Sequence, residues 1–254
     1  MRQEPGRVLR CVAMALRVLL LQARNPEDPV RQEERQSFSN KTGLPLESIV
    51  PHDLLSGPPS LRRVKQFDAV MVGGSGDYYV SKRSLPAFDA QLDLLAAVAD
   101  TGFPMFASCF GFQILVQALG GEIVHDPVNV EVGTYDLDLT PAGKEDPLMS
   151  RLPTVFAAQL GRKDRAARLP QGVLHLASSK RSLYQSFRIP ERPIWATQFH
   201  PELDVETNRL RFERYLKGYA THMSEQERQE ARQRFRPSPH TARLLPAFLE
   251  LVFG

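Results

Sequence analysis

The sequence predicts an α/β protein of three layers, with a mostly parallel central sheet, and three observations carry that prediction. Short apolar runs at 16–21 (LRVLLL), 68–72 (DAVMV) and 104–110 (PMFASCF) suit strands covered on both faces. Segments with helical spacing of apolar residues separate them, and turns rich in Gly or Pro mark the changes. Strands that alternate with helices favour a parallel sheet, because each crossover needs a dozen or more residues and a helix supplies them.

Taken in order, the N-terminal stretch RVLRCVAMALRVLLLQA (7–23) is basic and apolar and resembles a secretion signal. Arg17 interrupts the apolar run and no small-residue cleavage site follows, so this stretch is expected to be a leader feeding the first strand. After LRVLLL and the polar NPEDP, a polar helix is expected around 30–41 and a second strand within SIVPHDLL. DAVMV then ends in the turn GGSGD, residues 86–100 form a helix, PMFASCF a strand, and GFQILVQALGG a helix closed by Gly120 and Gly121. From 122 to about 198 the pattern changes to short β-type runs, VEVGTYDLDL, TVFAAQL, GVLHLAS, SLYQSFRI and PIWATQF, which predict a mixed half of the sheet. Helical spacing returns after Asp204, and the segments SEQERQEARQRF and PSPHTARLLPAFLELVF predict two helices appended to the core. The expected division is therefore a leader over 1–15, a main domain over 16–218 and a C-terminal helical extension over 219–254.

Composition narrows the function classes. Of 254 residues, 42% are hydrophobic and 24% charged, and 32 basic residues against 29 acidic give a formal charge of only +3. That balance argues against a nucleic-acid groove or attraction to a membrane surface, and no segment has the ~18 uninterrupted apolar residues of a spanning helix. With two cysteines, Cys11 and Cys109, a disulfide framework is not expected and a reducing, cytoplasmic setting is. His52, His125, His175, His222 and His240 form no close ligand pair and Cys11 has no CxxC partner, so neither a metal nor a cofactor is expected.

The chemistry concentrates in two segments. Cys109 stands where a buried strand turns directly into a helix, a corner that projects its side chain from the carboxyl edge of the sheet. The positive end of the following helix favours thiolate over thiol, and Ala107 and Gly111 supply the small neighbours that a sharp bend needs. Taken alone, such a cysteine is as readily a small buried hydrophobe. The second segment, PIWATQFHPE, delivers His200 and Glu202 just past a strand end. Two residues apart in extended chain they share a side, so the carboxylate can hold one imidazole nitrogen and aim the other at a thiol. Cysteine, histidine and carboxylate then make a nucleophilic triad. The turn GGSGD at 73–77 is a tight turn or a phosphate cradle, but no GxxxxGK[ST] or helix-opening GxGxxG accompanies it.

With these residues in hand, the chain resembles the class I glutamine amidotransferases, particularly the stand-alone GMP-synthase-like members, whose elbow reads G-x-C-x-G-x-Q and whose histidine motif reads HPE. Here they read ASCFGFQ and HPE, and the likeness covers about 16–218. The resemblance implies a flavodoxin-like three-layer fold, Cys109 as nucleophile, His200 as base and acid, and Glu202 as its orienting group. It also implies substrate contacts at Gln113 and Gly73 and oxyanion donors in the backbone N–H groups of Gly74 and Phe110. Glutamine would be hydrolysed through a γ-glutamyl thioester to glutamate and ammonia. No SGGxDS loop occurs in the sequence, so ammonia would pass to a separate synthetase or acceptor protein. Two departures stand out: Ala107 replaces the elbow glycine, and Arg162 in QLGRKD stands where similar proteins often carry histidine, which puts substrate-backbone recognition in question. A self-contained γ-glutamyl peptidase and a non-catalytic regulatory binding protein are the alternative readings.

Overall fold

The computed structural model describes residues 16–216 and 224–254. The expected leader, Cys11, His222 and the expected domain boundary at 218/219 lie outside the described residues. Among those described, the strands are β1 (Val18–Ala23), β2 (Ile49–Asp53), β3 (Ala69–Ser75), β4 (Met105–Ser108), β5 (Glu122–His125), β6 (Glu131–Leu139), β7 (Val155–Arg162), β8 (Asp164–Arg168), β9 (Leu174–Ser178), β10 (Ser186–Ile189) and β11 (Ile194–Thr197). The helices are α1 (Val30–Thr42), α2 (Leu61–Val64), α3 (Phe88–Asp100), α4 (Phe110–Ala118), α5 (Pro141–Glu145), α6 (Val205–Arg214), α7 (Glu225–Arg234) and α8 (Leu244–Phe253). None of them is long and apolar enough to cross a membrane.

One nine-stranded sheet runs in the order β2-β1-β3-β4-β11-β10-β9-β6-β7. Its first five strands are parallel and the remaining pairings antiparallel, which is the α/β half followed by the mixed half that the sequence predicts. The ribbon of β5 and β8 is the part that sequence reading misses. In DRAAR only Ala166 is fully buried and apolar, so period-two alternation has almost nothing to register there.

Alternation along the central strands divides the core between two faces. Leu19, Leu21, Val70, Val72 and Ala107 point to one side, where Leu95 and Val98 of α3 and Phe112 and Leu115 of α4 cover them. Val18, Leu20, Met71, Phe106 and Trp195 point to the other, covered by Phe38 of α1 and Leu245 and Phe248 of α8. Burial on both faces is why these strands read as continuous apolar runs. Phe248 meets Phe106 and Trp195 edge-on, with ring centroids 5.6 and 5.9 Å apart, so the last helix closes a face of the sheet. The segment leading to it is tied down as well: the Arg236 carbonyl accepts from Thr134 Oγ1 at 2.8 Å and Gln159 Nε2 at 2.9 Å. By contrast α7 keeps mainly Ala231 inside, as its charged sequence predicts.

The parallel pair β4 and β11 matters most for function. Thr197 is in register with Ser108, so the chain leaves both strands at neighbouring points on the carboxyl edge. Beside them β3 ends in the glycine turn, and α4 starts so close to β3 that a Cβ on Gly111 would stand 2.5 Å from the Val72 carbonyl oxygen. Because the obstacle is backbone, Gly111→Ala should destabilise the fold by about 1–3 kcal/mol, as overpacking does. A denaturant titration reads this directly, and an unchanged midpoint would contradict the packing assigned to this helix.

Candidate active site

Cys109 lies between β4 and α4 with φ +53° and ψ −102°, and it is one of a few non-glycine residues with positive φ among those described. Such a conformation costs on the order of 1–3 kcal/mol and persists only where the surroundings hold it. Here its own N–H bonds the Thr197 carbonyl at 2.8 Å and its carbonyl accepts from Gln113 N–H at 3.1 Å, so strand and helix clamp the corner from both sides. The sulfur is buried, 4.0 Å from the Gly161 carbonyl oxygen, and no side chain caps the helix that starts beside it. Ala107 keeps a negative φ within β4, so the methyl that replaces the elbow glycine meets no conformational objection.

His200 and Glu202 come together, though not by the extended-strand geometry expected from sequence. The strand ends at Thr197, and the two residues sit in the following turn, fixed by His200 N–H on the Gln159 carbonyl at 2.9 Å. His200 Nδ1 lies 2.6 Å from Glu202 Oε1. Both side chains are almost wholly buried. Burial opposes the imidazolium, but the Cys109 sulfur and the Glu202 carboxylate outweigh it and raise the His200 pKa to about 10. Glu202 is held below the usual carboxylate range: burial works against its charge, and His200 and Arg211 more than offset this.

The glycine turn departs from the expected arrangement. The Gly74 N–H, expected as an oxyanion donor, is bonded to Glu34 Oε1 at 3.0 Å and is not open to the cleft in this conformation. Gly73, expected to touch substrate, instead packs against Glu34, whose carboxylate carbon would lie 2.7 Å from a Cβ at that position. Glu34 reaches the turn from α1 and also accepts from Arg24 Nη2 at 2.8 Å and Gln22 Nε2 at 2.9 Å. Arg24 in turn donates to the Tyr215 hydroxyl at 2.8 Å. Glu34 is one of two adjacent glutamates on a mostly polar helix, and nothing in the sequence marks which of them is buried. The expected Phe110 donor, in contrast, is the first residue of α4 and borders the cleft beside Cys109.

The cleft over the sulfur has a volume of about 190 Å³, and Tyr78, Tyr79, Gln113, Lys163, Arg214 and Tyr215 contribute to its walls. Gln113 is buried and donates to the Asp164 carbonyl at 3.0 Å and to Gln198 Oε1 at 3.2 Å, so it braces the wall. Arg162 borders the same cleft, but its guanidinium turns inward to Glu131, with Nε at 2.9 Å and Nη2 at 2.5 Å, and Glu131 also accepts from Ser179 and Gln185. The Asp164 carboxylate is likewise occupied, by Ser81 and His125. Lys163 donates to the Tyr79 hydroxyl at 3.0 Å, and burial together with nearby Lys82 lowers its pKa to about 8 despite Asp164. Tyr78 and Tyr79 directly follow GGSGD, and that adjacency was the available sequence signal for this wall. Among the described residues, no group of three His, Cys, Asp or Glu side chains could hold a metal ion.

The Glu34 network yields a stability test. Arg24 lowers the Glu34 pKa below its usual 4.5 against the opposing effect of burial, so the stabilisation is complete above that pH and is lost as pH falls. Glu34→Gln leaves Arg24 buried without its counter-charge and should cost about 3–5 kcal/mol at neutral pH. In denaturant titrations the gap to wild type should narrow on acidification below pH 4.5; a gap that is constant with pH would contradict the charge pairing.

Comparison with known proteins agrees with this architecture. A family model, glutamine amidotransferase class-I, matches residues 52–215. GMP synthase [glutamine-hydrolyzing] of Thermosipho africanus is 33% identical over 106 residues, 42% of this chain and 20% of that protein. The Mycobacterium marinum protein of the same name is 29% identical over 158 residues, 61% of this chain and 27% of its own length. The chain thus spans only about a quarter of these relatives. A crystal structure of a glutamine amidotransferase from Thermotoga maritima superposes with a TM-score of 0.72 at 17% identity, covering 93% of this chain and 97% of that one. Glutamine amido transferase from Methylobacillus flagellatus gives 0.60 at 15% identity, covering 94% and 90%. At such identities the structures establish the shared fold, and the family model, which covers well over half of the sequence, establishes that this chain belongs to the class-I glutamine amidotransferases.

Proposed function

We propose that the chain hydrolyses the side-chain amide of glutamine through a covalent intermediate on Cys109. The observation that carries this reading is the placement of His200 between the Cys109 sulfur and Glu202 Oε1, the latter at 2.6 Å, with the imidazole pKa raised to about 10. At neutral pH that pairing keeps a protonated imidazole beside the sulfur, and a thiolate is the form that nucleophilic attack requires.

In the proposed sequence the thiolate adds to the amide carbon and the carbonyl oxygen takes the negative charge. The Phe110 N–H at the positive end of α4 stabilises that oxygen. A second donor at Gly74 requires its peptide to leave Glu34. His200 protonates the nitrogen, the C–N bond breaks and ammonia departs, leaving a γ-glutamyl thioester and a neutral imidazole. The imidazole then takes a proton from water, whose oxygen attacks the thioester. Cleavage of the C–S bond gives glutamate and restores the thiolate and imidazolium. Glu202 holds Nδ1 throughout and stabilises the protonated ring. The buried free thiol is compatible with the reducing cytosol as the working compartment.

The names of the GMP synthase relatives, which join glutamine hydrolysis to a synthase, support a synthetase as the recipient of the ammonia. The outer wall of the cleft favours a second donor class. Lys163, Arg214 and the tyrosines 78, 79 and 215 extend beyond the sulfur and would receive a larger, anionic leaving amine, as in a γ-glutamyl peptide.

Purified protein should release glutamate from glutamine and be labelled at Cys109 by a thiol-reactive glutamine analogue. Cys109→Ala should abolish both, and His200→Ala should slow turnover by about 10²- to 10⁴-fold. Activity should fall as pH rises through about 10, where His200 loses its proton. No turnover and no labelling with either glutamine or γ-glutamyl dipeptides would refute the reading, and a higher kcat/KM for the dipeptides would assign the peptidase class.

A further inference from the structure

Arg211 lies two turns into α6, directly behind Glu202. It is 7% exposed, and its Nη1 stands 3.8 Å from Glu202 Oε1. Among the described residues neither terminal nitrogen has a hydrogen-bond partner, and neither does Glu202 Oε2, the oxygen that His200 leaves unused. Two opposite buried charges therefore face each other, each with unspent hydrogen-bonding capacity. A cavity of about 30 Å³ adjoins Arg211, bounded also by Arg24, Ser75, His200, Leu203 and Tyr215, and it has room for one water.

The helix that carries Arg211 is fixed relative to the catalytic candidates. A capping box at Asp204 and Thr207 starts it immediately after the His200 turn. Asn208 Nδ2 then bonds Gln159 Oε1 at 2.9 Å, while the Gln159 carbonyl holds the His200 N–H. One β7 residue thus sets both the imidazole and the helix behind it.

Packing alone does not call for a guanidinium at this position. Burial disfavours the charge on Arg211 and so does neighbouring Arg24; Glu34, Glu202 and Tyr215 favour it. A buried cation with unspent donors is a poor filler compared with an apolar side chain of similar volume. Its use is electrostatic. With the sulfur as thiolate, Cys109, His200 and Glu202 carry one net negative charge in a nearly dry site, and Arg211 brings the sum to zero.

We infer that Arg211 is a positioning residue for Glu202, the fourth member of a charge chain that runs from Cys109 through His200. The inference rests on the triad reading above. Removing the cation makes proton uptake by the remaining cluster more favourable, so the thiolate forms at higher pH.

The test is the pH profile of iodoacetamide alkylation at Cys109, followed by mass spectrometry of the Cys109 peptide, which needs no amide substrate. Arg211→Met and Arg211→Gln should move the midpoint upward by about one pH unit, and Arg211→Lys, which keeps the charge, should restore the wild-type profile. Thermal melts identify the folded variants, and glutamine is the better choice where methionine does not fold. Superimposable profiles for wild type and a folded neutral variant would overturn the inference and leave the triad intact. Wild-type Cys109 no more reactive than a free thiol at neutral pH would instead overturn the triad reading and the inference with it.

Discussion

The site depends on one backbone corner. Cys109 can stand at positive φ because β4, α4 and β11 all grip it: its N–H is held by Thr197, its carbonyl by Gln113, and the helix after it lies so tightly on β3 that only glycine fits at 111. Each grip is ordinary sheet or helix bonding. Together they hold a strained residue with its side chain at the carboxyl edge, beside the strand that delivers His200. The energy that keeps the corner in place thus comes from the two cores on either face of the sheet, not from the site.

Charge is arranged around the corner as alternating signs. Glu202 faces His200 on one side and Arg211 on the other, and Arg211 and Arg24 share Glu34. In a nearly dry interior each of these groups is costly alone, and the chain tolerates them because each lies beside an opposite charge. The partners come from the end of β1, from α1, from the turn after β11 and from α6, so the electrostatics of the site and the docking of these elements are one problem. That α8 packs on the central strands, and the segment before it bonds β6 and β7, extends the same dependence to the C-terminal residues.

How much of this is legible in the sequence follows from which interactions leave a periodic trace. The central strands, α1, α3, α4 and α6 are readable because burial on two faces or on one stripe imposes a pattern on consecutive residues. The Cys109 corner and the His200–Glu202 pair are readable because strand-to-helix chemistry compresses into ASCFGFQ and HPE. The β5–β8 ribbon is not, since its residues are mostly polar and its partner is forty residues away. Nor is Glu34, a charge set among the buried Val30, Ser37 and Phe38 of α1, whose hydrogen-bond partners all come from other segments. Arg162 shows the converse: the departure from the family pattern is visible, but its consequence, a buried pair with Glu131, requires the fold.

Glu34 also bears on the proposed chemistry, because it holds the N–H that a second oxyanion donor at Gly74 would need. Its carboxylate satisfies the Gly74 N–H, and with it Arg24 and Gln22, which makes the glycine turn a well-bonded piece of the interior. A donor committed to a full negative charge is not readily surrendered to a transient oxyanion, since charge-assisted bonds are the stronger kind. Two conditions would release it: rotation of the Gly74 peptide toward the sulfur, or a shift of α1 that carries Glu34 away. Arg24 bears on the second, because its other nitrogen holds Tyr215 at the end of α6 and on the wall of the cleft. Glu34, Arg24 and Tyr215 thus form one chain of hydrogen bonds from the glycine turn to the wall of the cleft.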